Sequence, residues 1–263
     1  MLERIDQLDK YYSPIEKINT STWILFLISA ILSIAILYTN SIEYPLVKQL
    51  IEICFMIVVI IYSILSIYNS YYLIPSVEKL RRKQLLSDSF GVPLTSENTE
   101  NYYNNEFIPS LNRLGMNVLE NSFFAKNVCL KMAEKERLKI FIYFLLWIIA
   151  MAYRNTDLSL ILIITQIFFS GEIIISFIKI EMLRFENSSI YDKLYTYFLH
   201  DISSTTPRGI ATILDLFTSY EVAKANASLK QSSKIFMQLN PRLTEEWKMI
   251  RNTLTEQRTS HHD

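Results

Sequence analysis

Apolar residues in this chain are concentrated in four long stretches, and the segments between them carry most of the charge. The stretches cover 22–38, 53–72, 138–153 and 158–178. A helix rises about 1.5 Å per residue, so stretches of this length each match the roughly 30 Å hydrocarbon core of a bilayer. The pattern therefore predicts four transmembrane helices.

Short loops join these stretches in pairs. Residues 40–52, with Pro45, separate the first two, and residues 154–157 separate the last two, a link short enough to require an antiparallel hairpin. The predicted fold class is an all-α membrane protein with four transmembrane helices in two hairpins and a helical cytoplasmic portion. The predicted divisions are an N-terminal arm, a first hairpin, a central cytoplasmic segment, a second hairpin and a C-terminal helical tail, at 1–21, 22–72, 73–137, 138–178 and 179–263.

Lysine and arginine lie almost entirely outside the two hairpin loops. Of the 26 basic residues, 24 fall in the arm, in the segment between the hairpins (73–139) or in the tail, and the loops hold Lys48 and Arg154. An even number of spans puts the three basic regions on one side of the membrane, and the positive-inside bias makes that side cytoplasmic. We expect a multi-pass protein with both termini in the cytoplasm and no cleaved signal peptide.

The polar segments also carry helical patterns. A basic helix is predicted over 76–86 after a break or kink at Pro75, a polar loop over 87–110, and a helix over 117–137 that continues into the third span. In the tail, Thr206 and Pro207 mark one helix start and Asn240 and Pro241 another. The last helix has an apolar face formed by Leu243, Trp247, Ile250 and Leu254.

The fourth span carries a line of polar residues at near-helical spacing, and an ionisable group inside a bilayer normally faces protein or water. We take this line as a candidate pore lining or gate, with a structural partnership between Glu172 and Lys179 or a neighbouring helix as the alternative. Its members are Thr165, Glu172, Ser176 and Lys179. Weaker polar stripes in the first two spans, including Asn69, favour helix packing over conduction.

A second candidate site follows the second span. Arginine and lysine bind phosphates, hydroxyls donate hydrogen bonds, and tyrosine faces stack on bases. The candidate ligand-binding residues are Arg81, Arg82, Lys83, Ser87, Ser89, Tyr102 and Tyr103. The alternative is a basic anchor for anionic lipid headgroups.

The sequence contains no constellation typical of catalysis or metal binding. The histidines are His200, His261 and His262, none with a cysteine or carboxylate at metal-ligand spacing, and the four glycines form no phosphate loop. Cys54 and Cys129 are expected to be buried, inert thiols. We therefore expect no enzymatic activity, no metal and no resident cofactor, and the zero net charge gives no indication of a nucleic-acid polymer as partner.

The order of segments resembles the SMODS-associated four-transmembrane effectors of CBASS-type antiphage systems. The resemblance is carried by Tyr11-Tyr12 and Lys17 in the arm and by four short runs. These runs are RRKQLLSDSFG at 81–91, YYNN at 102–105, ENSFF at 120–124 and LNPRLTEEW at 239–247.

The resemblance implies an effector in the bacterial inner membrane. A cyclic nucleotide second messenger, made by a partner nucleotidyltransferase on phage infection, would make it assemble or open and breach the membrane. Four helices with little polar lining cannot enclose a wide conduit, so a pore requires a homo-oligomer in the bilayer. The alternatives are a non-conducting anchor that docks a soluble partner through its cytoplasmic helices, on the face of Leu243, Trp247 and Ile250, and a small transporter.

Overall fold

The computed structural model describes residues 5–96, 99–100, 103, 107–152, 158–168, 171–200 and 205–260, and these are predominantly helical. The predicted helical class is confirmed. Within this part of the chain, extended pairing is confined to β1 (Ile5–Asp6) and β2 (Thr99–Glu100), which are antiparallel. The loop at 154–157 and Tyr102 lie outside the described residues.

The helices follow in chain order, with two π-helical turns continuous with them. A 3₁₀ segment, Gln7–Tyr12, precedes α1 (Ser13–Tyr38), and α2 (Pro45–Tyr68) passes through the π-helical turn Asn69–Leu73 into α3 (Ile74–Phe90). The remaining helices are α4 (Leu111–Ala152), α5 (Leu158–Phe168), α6 (Ser176–Leu199) after the π-helical turn Gly171–Ile175, α7 (Pro207–Ala227) and α8 (Ser233–Ser260).

The chain divides into two compact units. We name the first the core unit; it comprises Met1–Lys10, Pro75–Glu134 and Lys179–Asp263. The second, the apolar unit, comprises Tyr11–Ile74 and Lys135–Ile178. The core unit is thus assembled from three separate segments of the chain, and the apolar unit from two.

The core unit is built around a buried cluster to which α3, α4, α6, α7 and α8 all contribute. Trp247 on α8 is fully buried and lies 5.9 Å from the ring of Phe123 on α4. Each fully buried large side chain contributes on the order of 1.5–3 kcal/mol through removal of apolar surface from water. The cluster comprises Leu85, Leu114, Met116, Val118, Leu119, Phe123, Ile190, Leu194, Tyr197, Phe198, Ile213, Leu216, Tyr220, Leu243, Trp247 and Leu254.

Gly115 allows α4 to approach its neighbours closely. A Cβ atom at this position would lie 3.0 Å from Cζ of Phe198 on α6 and 3.6 Å from Cδ1 of Ile213 on α7. Phe198 is buried and meets Tyr197 edge to face at 5.2 Å, so its ring has little room to withdraw. The absence of a side chain at Gly115 therefore allows α4, α6 and α7 to pack closely at this point.

The sequence pattern predicts that Pro75 ends or kinks one helix and that Pro241 lies at the start of another. Both prolines instead lie inside helices. The helix continues through Pro75 because the preceding π-helical turn widens the hydrogen-bond pattern, with the Ile74 N–H donating to the Asn69 carbonyl. The last helix begins at Ser233 instead of Asn240, with Pro241 in its interior. Buried Ile235 holds the turns before Pro241, which offsets part of the roughly 3 kcal/mol cost of an interior proline.

Two other predicted helix features are confirmed. Thr206 caps α7, since its Oγ1 accepts a hydrogen bond from the Gly209 N–H at 3.0 Å and Pro207 follows at the first helical position. The helix after Asn117 does run on toward the third apolar stretch, because α4 is one helix of 42 residues, about 63 Å long.

The apolar unit contains the hairpin of α1 and α2, and α5 also packs on α1. A hydrogen bond crosses this hairpin near its open end, from Nδ2 of Asn69 to Oδ1 of Asn19 at 2.6 Å, and Asn69 is buried. Small polar side chains that bond across helices are a recognised way of joining them in an apolar environment. The packing role predicted for Asn69 is confirmed.

Candidate functional site

The α1–α2 hairpin presents an apolar outer surface. Among the described residues, two helical segments are long and apolar enough to cross a membrane, Leu8–Tyr38 and Pro45–Phe90. Their most apolar windows are 11% and 0% buried, and large side chains such as Ile31, Leu50 and Ile64 are more than 60% exposed. Cys54, expected to be buried, is exposed here because it lies on the outer surface of α2.

The basic cluster after the second span is engaged with other parts of the core unit. Nη2 of Arg81 forms an ion pair with Oδ1 of Asp9 at 3.0 Å, and the Arg81 side chain is only 15% exposed. Arg82 lies close enough to Glu221 on α7 to interact with its charge. Lys83 is exposed on the surface of α3.

The two serines predicted as hydroxyl donors to a ligand belong to α3, which extends to Phe90 and so beyond the predicted loop start at Ser87. Ser89 is fully buried; its Oγ donates to the Leu85 carbonyl at 2.6 Å and accepts from Nδ2 of Asn117 at 3.0 Å. Ser87 Oγ donates to the Lys83 carbonyl at 2.9 Å and accepts from the Leu94 N–H at 2.9 Å. Both hydroxyls therefore stabilise the end of α3.

Tyr103 is joined to α4, since its hydroxyl accepts a hydrogen bond from Nδ2 of Asn121 at 3.0 Å. Its ring packs against the buried cluster of the core unit. Arg81 thus pairs with the arm, Tyr103 bonds to α4, and Ser87 and Ser89 hold the end of α3. Arg82 lies near the charge of Glu221 on α7, and Lys83 is exposed. The contacts of these predicted ligand residues do not bring them together around a common space.

A charged network joins α3 to α7 within the core unit. Nζ of Lys224 lies 2.7 Å from Oε2 of Glu78 and 3.3 Å from Oε1 of Glu221. Burial raises the pKa of Glu221, while the charge and hydrogen bond of Lys224 and the charge of Arg82 lower it, and Glu78 raises it. The network therefore holds one lysine between two carboxylates, one of which retains its proton more readily than usual.

The predicted pore residues are distributed over two helices and the π-helical turn between them. Thr165 on α5 accepts a hydrogen bond from Nε1 of Trp147 on α4 at 2.8 Å and donates to the Ile161 carbonyl. The backbone of Glu172 belongs to the turn Gly171–Ile175, and its side chain is outside the described part of the structure. Ser176, the first residue of α6, is partly buried.

Lys179 lines a cleft between α6 and α7 in the core unit. This open cleft has a volume of about 170 Å³ and an apolar floor that includes Leu183, Ala223 and Ala227. Lys179, Glu186, Ser219 and Asn226 supply polar groups along it. The sequence pattern groups Lys179 with Thr165, Glu172 and Ser176. In the structure Lys179 lines a cleft that residues of α7 also line.

The sequence pattern did not single out a lysine and tyrosine cluster on α4 and α6. Nζ of Lys126 lies 3.3 Å from the centroid of the Tyr191 ring, and Tyr191 stacks on Tyr195 at 5.9 Å. Burial lowers the pKa of Lys126, an effect that the charge of Asp192 partly opposes. Burial also raises the pKa of Tyr191 to about 12, with the nearby Tyr195 and Asp192 adding to the shift.

The remaining candidate chemistry is limited. Among the residues that the structure describes, no group of three or more His, Cys, Asp and Glu side chains is arranged to hold a metal ion. Burial raises the pKa of the Cys129 thiol to about 12, although the charge of Arg184 opposes the shift, so this thiol stays protonated at neutral pH.

The apolar face predicted on α8 belongs to the core. Leu243 and Trp247 are fully buried and Ile250 packs against the same cluster, so this face does not form the docking surface expected for a membrane anchor.

No protein-family model, no curated protein and no solved structure matches this chain.

Proposed function

We propose that this protein is a membrane effector of a bacterial antiphage signalling system. A nucleotide second messenger makes it oligomerise or open, and the open form disrupts the inner membrane and aborts the infection. The observation that carries the proposal is the uncovered apolar surface of α2, which has no buried residue over its 24 positions. A helix of that length extends about 36 Å. In a bilayer its apolar side chains contact lipid, so they are not exposed to water.

The exposure of α1 and α2 supports a membrane helix over a soluble core helix. A core helix of a soluble protein passes the same test of length and composition, but most of its side chains are buried. Here the most apolar windows of Leu8–Tyr38 and Pro45–Phe90 are only 11% and 0% buried. We extend the proposal to the apolar stretches at 138–153 and 158–178, which makes four spans with both termini in the cytoplasm.

The core unit supports the signal-receiving part of the proposal. It has its own buried cluster drawn from five helices, so it is more than a set of loops between spans. Of the 26 lysine and arginine residues, most fall in its three segments, as expected of a cytoplasmic domain. A nucleotide that binds this unit more tightly in one arrangement than in another shifts the membrane helices toward the open state.

The test is leakage from liposomes that contain the purified full-length protein. We expect one member of a panel of cyclic di- and trinucleotides to release an entrapped dye at least tenfold faster than buffer alone. Glu172→Gln should slow this release severalfold if Glu172 faces the conducting path. Glu134→Gln, which changes an exposed glutamate on α4 paired with Lys131, is the matched control and should leave release unchanged.

Two results would count against the proposal. Intact liposomes with every member of the panel would exclude activation by these messengers. Rapid leakage without any nucleotide would show a constitutive membrane-disrupting protein instead of a gated one.

A further inference from the structure

The helices α4 and α6 run antiparallel in the core unit, and Lys126 lies between their points of contact. Phe123 on α4 meets Tyr191 on α6 at 5.7 Å, and Cys129 on α4 shares a buried cluster with Leu183 on α6. Between these two contacts, the Lys126 ammonium sits over the faces of Tyr191 and Phe123, at 3.3 and 5.8 Å from the ring centroids.

The Lys126 ammonium has hydrogen-bonding capacity that its neighbours do not use. An ammonium group has three N–H donors, and an aromatic face attracts its charge without accepting conventional hydrogen bonds. Among the described residues, Lys126 has these aromatic contacts and no hydrogen bond or ion pair, and the nearby charge of Asp192 acts at longer range.

Other lysines of α4 show the usual arrangement. Nζ of Lys131 lies 2.6 Å from Glu134, and Nζ of Lys139 lies 2.6 Å from Glu136. Both lysines pair with a carboxylate one turn away on their own helix, whereas Lys126 is turned toward Tyr191 of α6. A half-buried cation placed in this way attracts an anion more strongly than an exposed one, because the surrounding protein screens its charge less than water does.

The surface beside this cation is aromatic. Tyr191 and Tyr195 stack with an angle of 21° between their rings, and both are partly exposed. A cation next to tyrosine faces combines the two elements used to bind nucleotides, a donor for phosphate and a platform for a base. In the described part of the basic cluster predicted from sequence, Arg81 pairs with Asp9 and Ser89 is buried.

We propose that Lys126, Tyr191 and Tyr195 form the nucleotide-binding site of the core unit. The Lys126 ammonium, which occupies one face of Tyr191, donates hydrogen bonds to a phosphate oxygen of the ligand, and a base stacks against the ring of Tyr195. The proposal rests on the nucleotide activation described above and gives that activation a location.

The test is equilibrium dialysis of the full-length protein in detergent with cyclic di-AMP, cyclic di-GMP and 3′,3′-cyclic GMP-AMP. We expect saturable binding of at least one of the three. Lys126→Gln should weaken that binding about tenfold or more, and Tyr195→Leu should weaken it severalfold. Lys131→Gln, on the same helix, is the matched control and should bind as the unsubstituted protein does.

Two further variants separate binding from folding. Lys126→Arg keeps the charge and should bind within about threefold of the unsubstituted protein, and Tyr195→Phe keeps the aromatic face and should bind normally. Circular dichroism of each variant shows whether the helices are intact. Weak binding by all Lys126 variants together with lost helicity would mean that Lys126 has a structural role, and would overturn the proposal.

The outcomes distinguish this site from the function. If Lys126→Gln binds nucleotide normally and still releases liposome dye, this site is wrong and the effector function stands. If binding depends on Lys126 but no nucleotide causes leakage, the site stands and the effector function is wrong. Absence of saturable binding by all three nucleotides overturns this site whatever the liposomes show.

Discussion

Charged and polar side chains in the core unit are held in specific pairs that join distant parts of the chain. Arg81 bonds to Asp9, which lies 72 positions earlier, and Asn117 bonds to Ser89 across 28 positions. In each pair a group that costs free energy to bury is matched by a partner, as buried polar groups generally are. These side chains therefore specify how α3 is placed against the arm and α4.

Glu221 gives a residue-scale prediction because its burial makes the ionised form unfavourable. Its folded pKa is raised from 4.5, so between pH 4.5 and that raised value the folded state binds more protons than the unfolded state. This contribution to stability is present at low pH and is lost as pH rises through the folded pKa. Glu221→Gln should therefore be more stable than the unsubstituted protein at pH 7.5, and this advantage should shrink at pH 5.

Thermal unfolding in detergent, followed by circular dichroism at the two pH values, measures the difference. Lys224 keeps its 2.7 Å partner Glu78 in this variant, so loss of the ion pair with Glu221 leaves the lysine paired. An advantage that grows as the pH falls would contradict the expected sign.

Gly115 gives a second residue-scale prediction. In an open helix, replacing glycine with alanine usually gains about 0.5–1 kcal/mol. Here the new Cβ would lie 3.0 Å from the buried Phe198 ring, so Gly115→Ala should instead lower the free energy of unfolding, by about 1–3 kcal/mol. Adding Phe198→Leu should recover part of the loss in chemical denaturation, and a more stable single variant would show that the ring can move aside.

Helices are the scale at which sequence pattern predicts most in this chain. The apolar stretches, the cap at Thr206 and the continuation of α4 follow from local spacing and from residues within a few positions of each other. The start of α8 was mispredicted because the proline rule is local, whereas burial of Ile235 depends on other helices. The predicted loop start at Ser87 was also wrong. The hydrogen bonds of Ser87 with Leu94 and of Ser89 with Asn117 hold this part of the chain in α3.

The candidate site was harder to predict than the helices. A cluster of basic residues and tyrosines in sequence indicates chemistry that binds phosphates, but it does not show where each side chain turns. Lys126 and Tyr191 are separated by more than sixty positions. Only the antiparallel packing of α4 and α6 brings Nζ of Lys126 to 3.3 Å from the centroid of the Tyr191 ring. A lone lysine in an apolar helix pattern was the available signal, and it is common in surface helices.

The bond between Asn19 and Asn69 gives a prediction at the scale of the hairpin. Each single alanine substitution removes the 2.6 Å hydrogen bond, so the double variant should cost less than the sum of the two. We expect a coupling energy of about 0.6 kcal/mol, the average found for hydrogen bonds between membrane helices, and at most about 1.7 kcal/mol. Thermal unfolding in detergent provides the cycle, with Ser63→Ala as control because Ser63 bonds within its own helix to the Val59 carbonyl. Additive effects would mean that the bond does not hold the hairpin together.

At the scale of the whole molecule, the division into two units corresponds to a division of chemistry. The core unit buries its apolar residues around Trp247 and Phe123, whereas the apolar unit leaves much of α1 and α2 uncovered. One helix runs through both units, because α4 begins in the core unit and ends in the apolar unit. In the proposed effector, this shared helix links the part that binds the signal to the part that acts on the membrane.

The three-segment construction of the core unit also determines its order of synthesis. The ribosome makes both apolar stretches of each hairpin before it reaches Leu243, Trp247 and Leu254, which complete the buried cluster. Domains generally fold as units and in the order in which they emerge. In the proposed effector, the apolar helices therefore leave the ribosome while the core of the other unit is still open, so their contact with a translocon or bilayer precedes completion of that core.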